Sequence, residues 1–295
     1  MNAEHVVVSV SDQIMPAQFQ VEIKQILTHF KCHIKKAERK RKGLYYHIES
    51  TQLDNESLNV SLINLSNIYK VDVALIPKNI FEAKKGLVIF DMDSTLITAE
   101  VIDEMALRHG VGEKVKLITA RAMNGELRFD QSLVERVSLL KGFNSQYMQE
   151  IMDQLVFTPG TPEFLKVLND LGIKTAIASG GFQYFANNIQ LKLKIDYVFA
   201  NDLEFAGDLL TGKILGPIVN AETKEQIVID LAAKEKLELN QVVAIGDGAN
   251  DIPMLLKAGL GIAIHAKEKV QKNAHYRINF GSMLNALSFM NHETL

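Results

Sequence analysis

Two short strings carry acidic side chains at spacings that could do chemistry. Asp91 and Asp93 sit in FDMDST (residues 90–95), Asp247 and Asp251 in GDGANDIPML (residues 246–255), and each string follows a short apolar run. An acidic pair after a strand is, taken alone, a common turn former or helix cap. Two such strings after two apolar runs say more, because ligands in open α/β sheets bind just beyond the carboxyl ends of the strands, where both would meet. Four carboxylates in one pocket repel one another, so their pKa values rise or a cation joins them. The set is all oxygen, with no histidine or cysteine, and that suits Mg²⁺.

Ser179, Gly180 and Gly181 follow a third apolar run. A serine with two glycine amides ahead of a helix suits an anion, although a plain strand-to-helix turn reads the same way. Lys224 opens a helical stretch at residues 223–233, either as a cation for the same pocket or as an ordinary surface lysine. These types together suit phosphoryl transfer. A dianionic phosphomonoester resists attack by an anion until a metal and a cation neutralise it, after which Asp91 can approach in line. Asp93 is then left to protonate the departing alkoxide and to deprotonate the attacking water. That role requires its side chain to stay off the metal, with its backbone carbonyl as the ligand instead.

The elements that position these groups are legible in outline. From residue 86 onward, short continuous apolar runs alternate with helical stretches, the pattern of strands buried on both faces of a parallel sheet. They fall at residues 86–90, 173–178, 197–200, 242–245 and 261–264. A helical insertion at about residues 99–158 is too long for one crossover helix and reads as a cap. A hairpin-like stretch at residues 203–219 carries Gly207 and Gly212 and no obvious chemistry. Residues 1–84 read as βαββαβ, with residues 78–85 as the linker. The expected fold is thus α/β, a doubly wound parallel sheet with a helical cap over residues 85–295, preceded by a small α+β domain.

Composition narrows the function classes. A formal charge of −3 with mixed signs and 47% hydrophobic content gives no electrostatic reason to expect nucleic acid or a membrane as partner. The basic stretch at residues 33–42 is short and lacks aromatic interleaving, so it reads as a solvated strand and turn. Cys32 is the single cysteine, which rules out an intrachain disulfide. No basic, apolar, small-residue leader opens the chain and no run reaches the ~18 apolar residues of a membrane span, so the expected location is cytoplasmic.

The strings FDMDSTLITAE (90–100), SGGF (179–182) and GDGANDIPML (246–255) resemble the haloacid dehalogenase superfamily and, within it, the phosphoserine phosphatases, over about residues 86–280. The resemblance implies Mg²⁺-dependent hydrolysis of O-phospho-L-serine, the last step of serine biosynthesis, through an aspartyl phosphate. Asp91 would be the nucleophile and Asp93 the acid and base. Asp91, the Asp93 carbonyl and Asp247 would hold the metal, with Asp251 supporting it. Ser179, Gly180, Lys224 and Asn250 would meet the phosphate side of the substrate.

The stretch MNGELRFDQSLVERVSLLKG (123–142) resembles the phosphoserine phosphatase cap, which implies that Arg136 grips the substrate carboxylate and Phe129 lines the pocket. A helical wheel independently places Arg136 on an apolar face beside Leu133, Leu139 and Leu140, where it needs either a ligand carboxylate or an internal salt bridge. Glu100 would meet the substrate ammonium, although an acid in a helix's first turn needs no further reason. A related enzyme acting on another small phosphorylated hydroxy amino acid would share this chemistry. A catalytically silent amino-acid sensor would have no need of Asp91, Asp93, Lys224 and Asp247 together. The first domain resembles ACT-type amino-acid-binding modules. Its stretch SDQIMPAQF (11–19) lacks their glycine, so a structural or homodimer-forming role is expected of it.

Overall fold

The computed structural model describes residues 3–40 and 42–292. The N-terminal unit runs β1 (Ala3–Val10), α1 (Ala17–His29), β2 (His33–Lys40), β3 (Gly43–Ser50), α2 (Asn55–Tyr69) and β4 (Asp72–Pro77), the expected βαββαβ order. Its strands form an antiparallel sheet in the order β2-β3-β1-β4. Helix α1 buries Phe19, Ile23 and Leu27, one residue per turn, and α2 buries Leu58, Leu62 and Leu65. Both pack with Val7 of β1, whereas Val6, Val8 and Val10 join the core of the larger unit. Strand β1 is therefore apolar on both faces although its sheet is antiparallel.

The stretch expected as a linker is helical instead. Helix α3 (Lys78–Glu82) buries Phe81, and Lys85 is buried with its ammonium donating to the carbonyls of Ile80 and Ala83. The two units share a continuous core there, so the connecting chain is packed rather than free. Asp72, 1% exposed, ties them further. Its carboxylate accepts from the backbone N–H groups of Asn279 (2.8 Å), Phe280 (3.1 Å) and Gly281 (2.9 Å) and from Asn285 Nδ2 (3.0 Å).

The larger unit continues with β5 (Leu87–Phe90), the cap helices α4 (Val101–Arg108), α5 (Gly112–Met123), α6 (Phe129–Ser138) and α7 (Gln146–Gln154), then α8 (Thr161–Asp170) and β6 (Lys174–Phe182). It proceeds through α9 (Gln183–Leu193), β7 (Tyr197–Ala206), β8 (Leu209–Leu215), α10 (Ala221–Lys234), β9 (Val242–Gly246), α11 (Ile252–Lys257), β10 (Leu260–Ile264), α12 (Glu268–Asn273), β11 (Tyr276–Ile278) and α13 (Asn285–Phe289). Its sheet order is β11-β10-β9-β5-β6-β7-β8, parallel except for the β7–β8 hairpin. Leu87 and Ile89 pack with α10 and α11, while Val88 and Phe90 pack with α8 and α9, which is why β5 reads as an unbroken apolar run.

The β7–β8 hairpin has a structural task. Leu210 exchanges backbone hydrogen bonds with Gly142 (2.8 Å) and Phe143 (2.9 Å), and Ser145 N–H donates to Asp208 O (2.8 Å), so the hairpin props the cap.

Asp72→Ala would strand three backbone donors and one amide in a buried joint. The expected loss is about 3 kcal/mol of unfolding free energy by urea titration. An unchanged midpoint would remove Asp72 from its anchoring role.

Candidate active site

Strands β5 and β9 are neighbours with Phe90 opposite Ile245, and β6 flanks β5 on the other side with Ile177 opposite Phe90. The three polar strings therefore leave adjacent strand ends. Asp91 N–H continues the ladder to Ile245 O at 2.9 Å. Beyond it the chain wraps around the Met92 carbonyl, which accepts from the backbone of Thr95 (3.3 Å), Leu96 (2.9 Å) and Ile97 (3.1 Å). Ser94 takes a left-handed φ of +57° within this wrap, an uncommon conformation for a residue with a Cβ. The wrap turns the buried Thr95 hydroxyl to donate to Asp247 at 3.0 Å.

Lys224 is not a surface lysine. It is fully buried, with Nζ 2.8 Å from Asp91 and 2.6 Å from Asp251. Burial alone would favour the neutral amine, but Asp251 and Asp91 outweigh it and raise the pKa above that of a free lysine. Asp251 also accepts from the N–H groups of Asp247 (3.1 Å) and Gly248 (2.9 Å). Burial, followed by the charges of Asp91 and Asp251, pushes Asp247 up to about 8. Asp251 is pushed up to about 6 by burial and by Asp91, against the pull of Lys224.

Carboxylate oxygens of Asp91, Asp247 and Asp251 lie within 4.8 Å of one another. Three carboxylates against one ammonium leave two negative charges, which a divalent cation would balance. The residues present fit such an ion: all donors are oxygen, and three carboxylates crowd one site. Asp251 has spent Oδ1 on Lys224 and Oδ2 on two amides, so Asp91 and Asp247 are the side chains with oxygens to offer. Asp93 lies outside this group. Its buried carboxylate accepts from Val101 N–H at 3.2 Å, and burial, then the charges of Glu100 and Asp91, push its pKa well above the usual range.

The segment from Ser179 to Gly181 is extended chain at the end of β6 rather than the expected turn, and the regular pairing with β7 is broken between Ala178 and Phe182. Strand length had been set by apolar residues alone, and polar ones continue it here. Ser179 is buried and its hydroxyl accepts from Gly181 N–H at 2.9 Å. Both glycines are needed for close approach. A Cβ on Gly180 would lie 2.5 Å from the Phe129 ring, and one on Gly181 would lie 2.4 Å from Asp93 Oδ2. The cap residue Phe129 thus rests directly on the strand end.

Arg136 leans toward the site from α6. Its Nε donates to Ser132 O within its own helix at 3.3 Å, and among the described residues it makes no ion pair, so the internal salt bridge open to the sequence is not formed. Burial lowers its pKa, and the charges of Glu100, Asp103 and Asp93 oppose that shift. Glu100 stands just before α4 without capping it, and accepts instead from Ser94 Oγ at 2.8 Å. Loss of water around its carboxyl raises its pKa, and Asp91 and Asp103 add to the shift. Asn250 is half-buried in the 3₁₀ turn Ala249–Asp251, folded against Gly248.

Thr95 and Asn220 are among the residues of this neighbourhood that escaped the sequence reading. Thr95 carries no signal of its own beyond its place in FDMDST. Asn220 could have been found as an N-cap: its side chain accepts from Thr223 N–H at 3.0 Å, and its Nδ2 donates to Asp130 of the cap at 3.3 Å.

Comparison with known proteins bears on this geometry. A family model for haloacid dehalogenase-like hydrolases matches residues 86–259. The chain is 42% identical over 220 residues to the phosphoserine phosphatase of Archaeoglobus fulgidus, covering 75% of this chain and 64% of that one. It is 46% identical over 200 residues to the phosphoserine phosphatase of Vibrio cholerae, covering 68% and 61%. The chain therefore spans a little under two thirds of the length of these curated relatives. The crystal structure of a haloacid dehalogenase family hydrolase from Salmonella enterica serovar Typhi is similar over 99% of both chains, with a TM-score of 0.87 and 31% identity. The family match runs through both acidic strings, the Ser-Gly-Gly strand end and Lys224, and the chain belongs to the haloacid dehalogenase-like hydrolases.

Proposed function

We propose that this chain hydrolyses O-phospho-L-serine to L-serine and phosphate through a phosphoryl group carried on Asp91. The observation that carries the reading is Arg136: a half-buried guanidinium without an ion-pair partner among the described residues, with the carboxylate of Glu100 near enough to oppose its loss of charge, under the same cap whose Phe129 rests on Gly180. A zwitterionic amino acid supplies the missing counterpart for both groups, its carboxylate to Arg136 and its ammonium to Glu100. The curated relatives that carry the name phosphoserine phosphatase support the same substrate.

In the first step an Asp91 carboxylate oxygen attacks phosphorus and the bond to the serine oxygen breaks. Asp93 donates a proton to that oxygen, a role open to it because Val101 N–H holds its side chain away from the other three carboxylates. Lys224 holds charge on the phosphoryl oxygens, and Ser179, Gly180 and Asn250 are assigned to the same phosphoryl group. In the second step Asp93 takes a proton from water, whose oxygen attacks phosphorus and releases Asp91 and phosphate. Asp91, Asp247 and the Asp93 carbonyl would hold Mg²⁺, which supplies the charge neutralisation that lets an anion approach a dianion. A small phosphorylated hydroxy amino acid other than phosphoserine would use the same steps.

For the N-terminal unit we propose a bracing role. The Asp72 joint and the shared core support it, since both commit the unit to the catalytic one rather than to a ligand.

Asp91→Asn is expected to cut kcat at least about 10³-fold with an unchanged circular dichroism spectrum. Undiminished phosphate release would reject the nucleophile. EDTA is expected to abolish turnover and added Mg²⁺ to restore it, and full activity after exhaustive chelation would reject the metal. Arg136→Ala is expected to lower kcat/KM on O-phosphoserine about 10²-fold while changing it little on an aryl phosphate without a carboxylate. Equal losses on the two substrates would remove the recognition role.

A further inference from the structure

Asn201 of β7 is 1% exposed, lies in no acidic or glycine-rich string, and uses both ends of its side-chain amide. Its Nδ2 donates to Gly180 O at 2.8 Å, and its Oδ1 accepts from Val219 N–H at 2.8 Å. The first bond sits where the β6–β7 ladder is interrupted, between the Ala178–Phe199 and Phe182–Asn201 pairs, so a side chain satisfies a carbonyl that regular pairing leaves out. Gly180 O and Gly181 N–H belong to one peptide group. Asn201 pins its oxygen, and Ser179 Oγ pins its N–H at 2.9 Å. Because the Ser179 hydroxyl accepts there, its own hydrogen remains to be donated outward.

The second bond reaches the other phosphate element. Val219 directly precedes Asn220, the N-cap of α10, and Lys224 N–H donates to Asn220 O at 2.9 Å in the first turn of that helix. One side chain thus spans the Ser-Gly-Gly strand end and the root of the helix that carries the buried lysine.

We infer that Asn201 is a positioning residue that sets the spacing between Ser179 and Lys224, and so the affinity of the site for the phosphoryl group whatever alcohol it is attached to. The inference rests on the phosphatase reading above but makes a separate demand: Asn201 acts on phosphate, whereas Arg136 acts on the amino-acid end. A buried asparagine that merely satisfies backbone groups would change stability and leave phosphate affinity alone.

The test uses the full chain with Asn201→Asp, Asn201→Ala, Ser179→Ala and the Asn201→Asp, Ser179→Ala double variant. Asn201→Asp keeps an acceptor for Val219 N–H, loses the donor to Gly180 O, and is close in size, so it serves if the alanine variant fails to fold. Inhibition by inorganic phosphate, KM for O-phosphoserine and for an aryl phosphate, and melting temperature are measured for each. The expected result is a rise of about tenfold in the phosphate inhibition constant and in both KM values for Asn201→Asp. The effects of Asn201→Asp and Ser179→Ala are expected to be non-additive, since they act on one peptide group. A wild-type chain that phosphate inhibits, together with an Asn201→Asp variant whose inhibition constant and KM values stay within twofold while its melting temperature falls, would overturn the inference and leave the phosphatase reading standing. Losses confined to O-phosphoserine would also overturn it. A wild-type chain that neither binds phosphate nor hydrolyses either substrate would sink both readings.

Discussion

The buried ammonium of Lys224 is the constraint around which the rest of the catalytic unit is arranged. A lysine removed from water holds its charge only where carboxylates meet it, and here Asp91 and Asp251 do so from two adjacent strand ends while the lysine arrives from α10. Removing one partner from such a buried pair typically costs about 3–5 kcal/mol, because the other is left charged and alone. The ends of β5 and β9 and the start of α10 are therefore held to one another by charge as well as by packing. The remaining excess of negative charge is what a divalent cation would balance.

That electrostatic centre would be of little use if water reached it freely. The cap closes over it through specific contacts: Phe129 on Gly180, Asp130 with Asn220, and Tyr184 OH donating to Gln149 at 2.9 Å. The β7–β8 hairpin supports the cap from the side through backbone hydrogen bonds around Leu210. Because Asn220 both caps α10 and meets the cap, cap position and lysine position are linked through one residue. Arg136 and Glu100 carry opposite charges beside the cap and, among the described residues, form no ion pair with each other.

The N-terminal unit is fastened to this core by the same physical means used inside it. Alternate residues of β1 belong to different cores, so the strand cannot leave the catalytic unit without exposing Val6, Val8 and Val10. The Asp72 carboxylate replaces water for three backbone N–H groups at the joint, and their desolvation would be unfavourable without it. Helix α3 seals the remaining gap with Phe81.

Much of this was legible in the sequence because it is local. The apolar runs that became β5, β9 and β10 announce two-sided burial by having no polar alternation, and the acidic strings that follow them announce the site. The periodicity of α1 and α2 and the βαββαβ order needed nothing from the rest of the chain. What the sequence left open was decided by partners far away along it. Lys224 became a buried ion through Asp91, Arg136 stayed without an ion pair among the described residues, and the Ser179 to Gly181 segment stayed extended with its Gly180 carbonyl held by Asn201, the ladder partner of Phe182. β11, three residues long, was too short to read, and the expected linker is a helix whose Phe81 packs into the core that the two units share. Amino-acid order by itself determined which chemistry could be assembled, since side-chain type and strand period are properties of neighbours. Tertiary structure alone decided which charges would be paired and which left waiting, since burial and ion pairing depend on contacts between segments that no local pattern records.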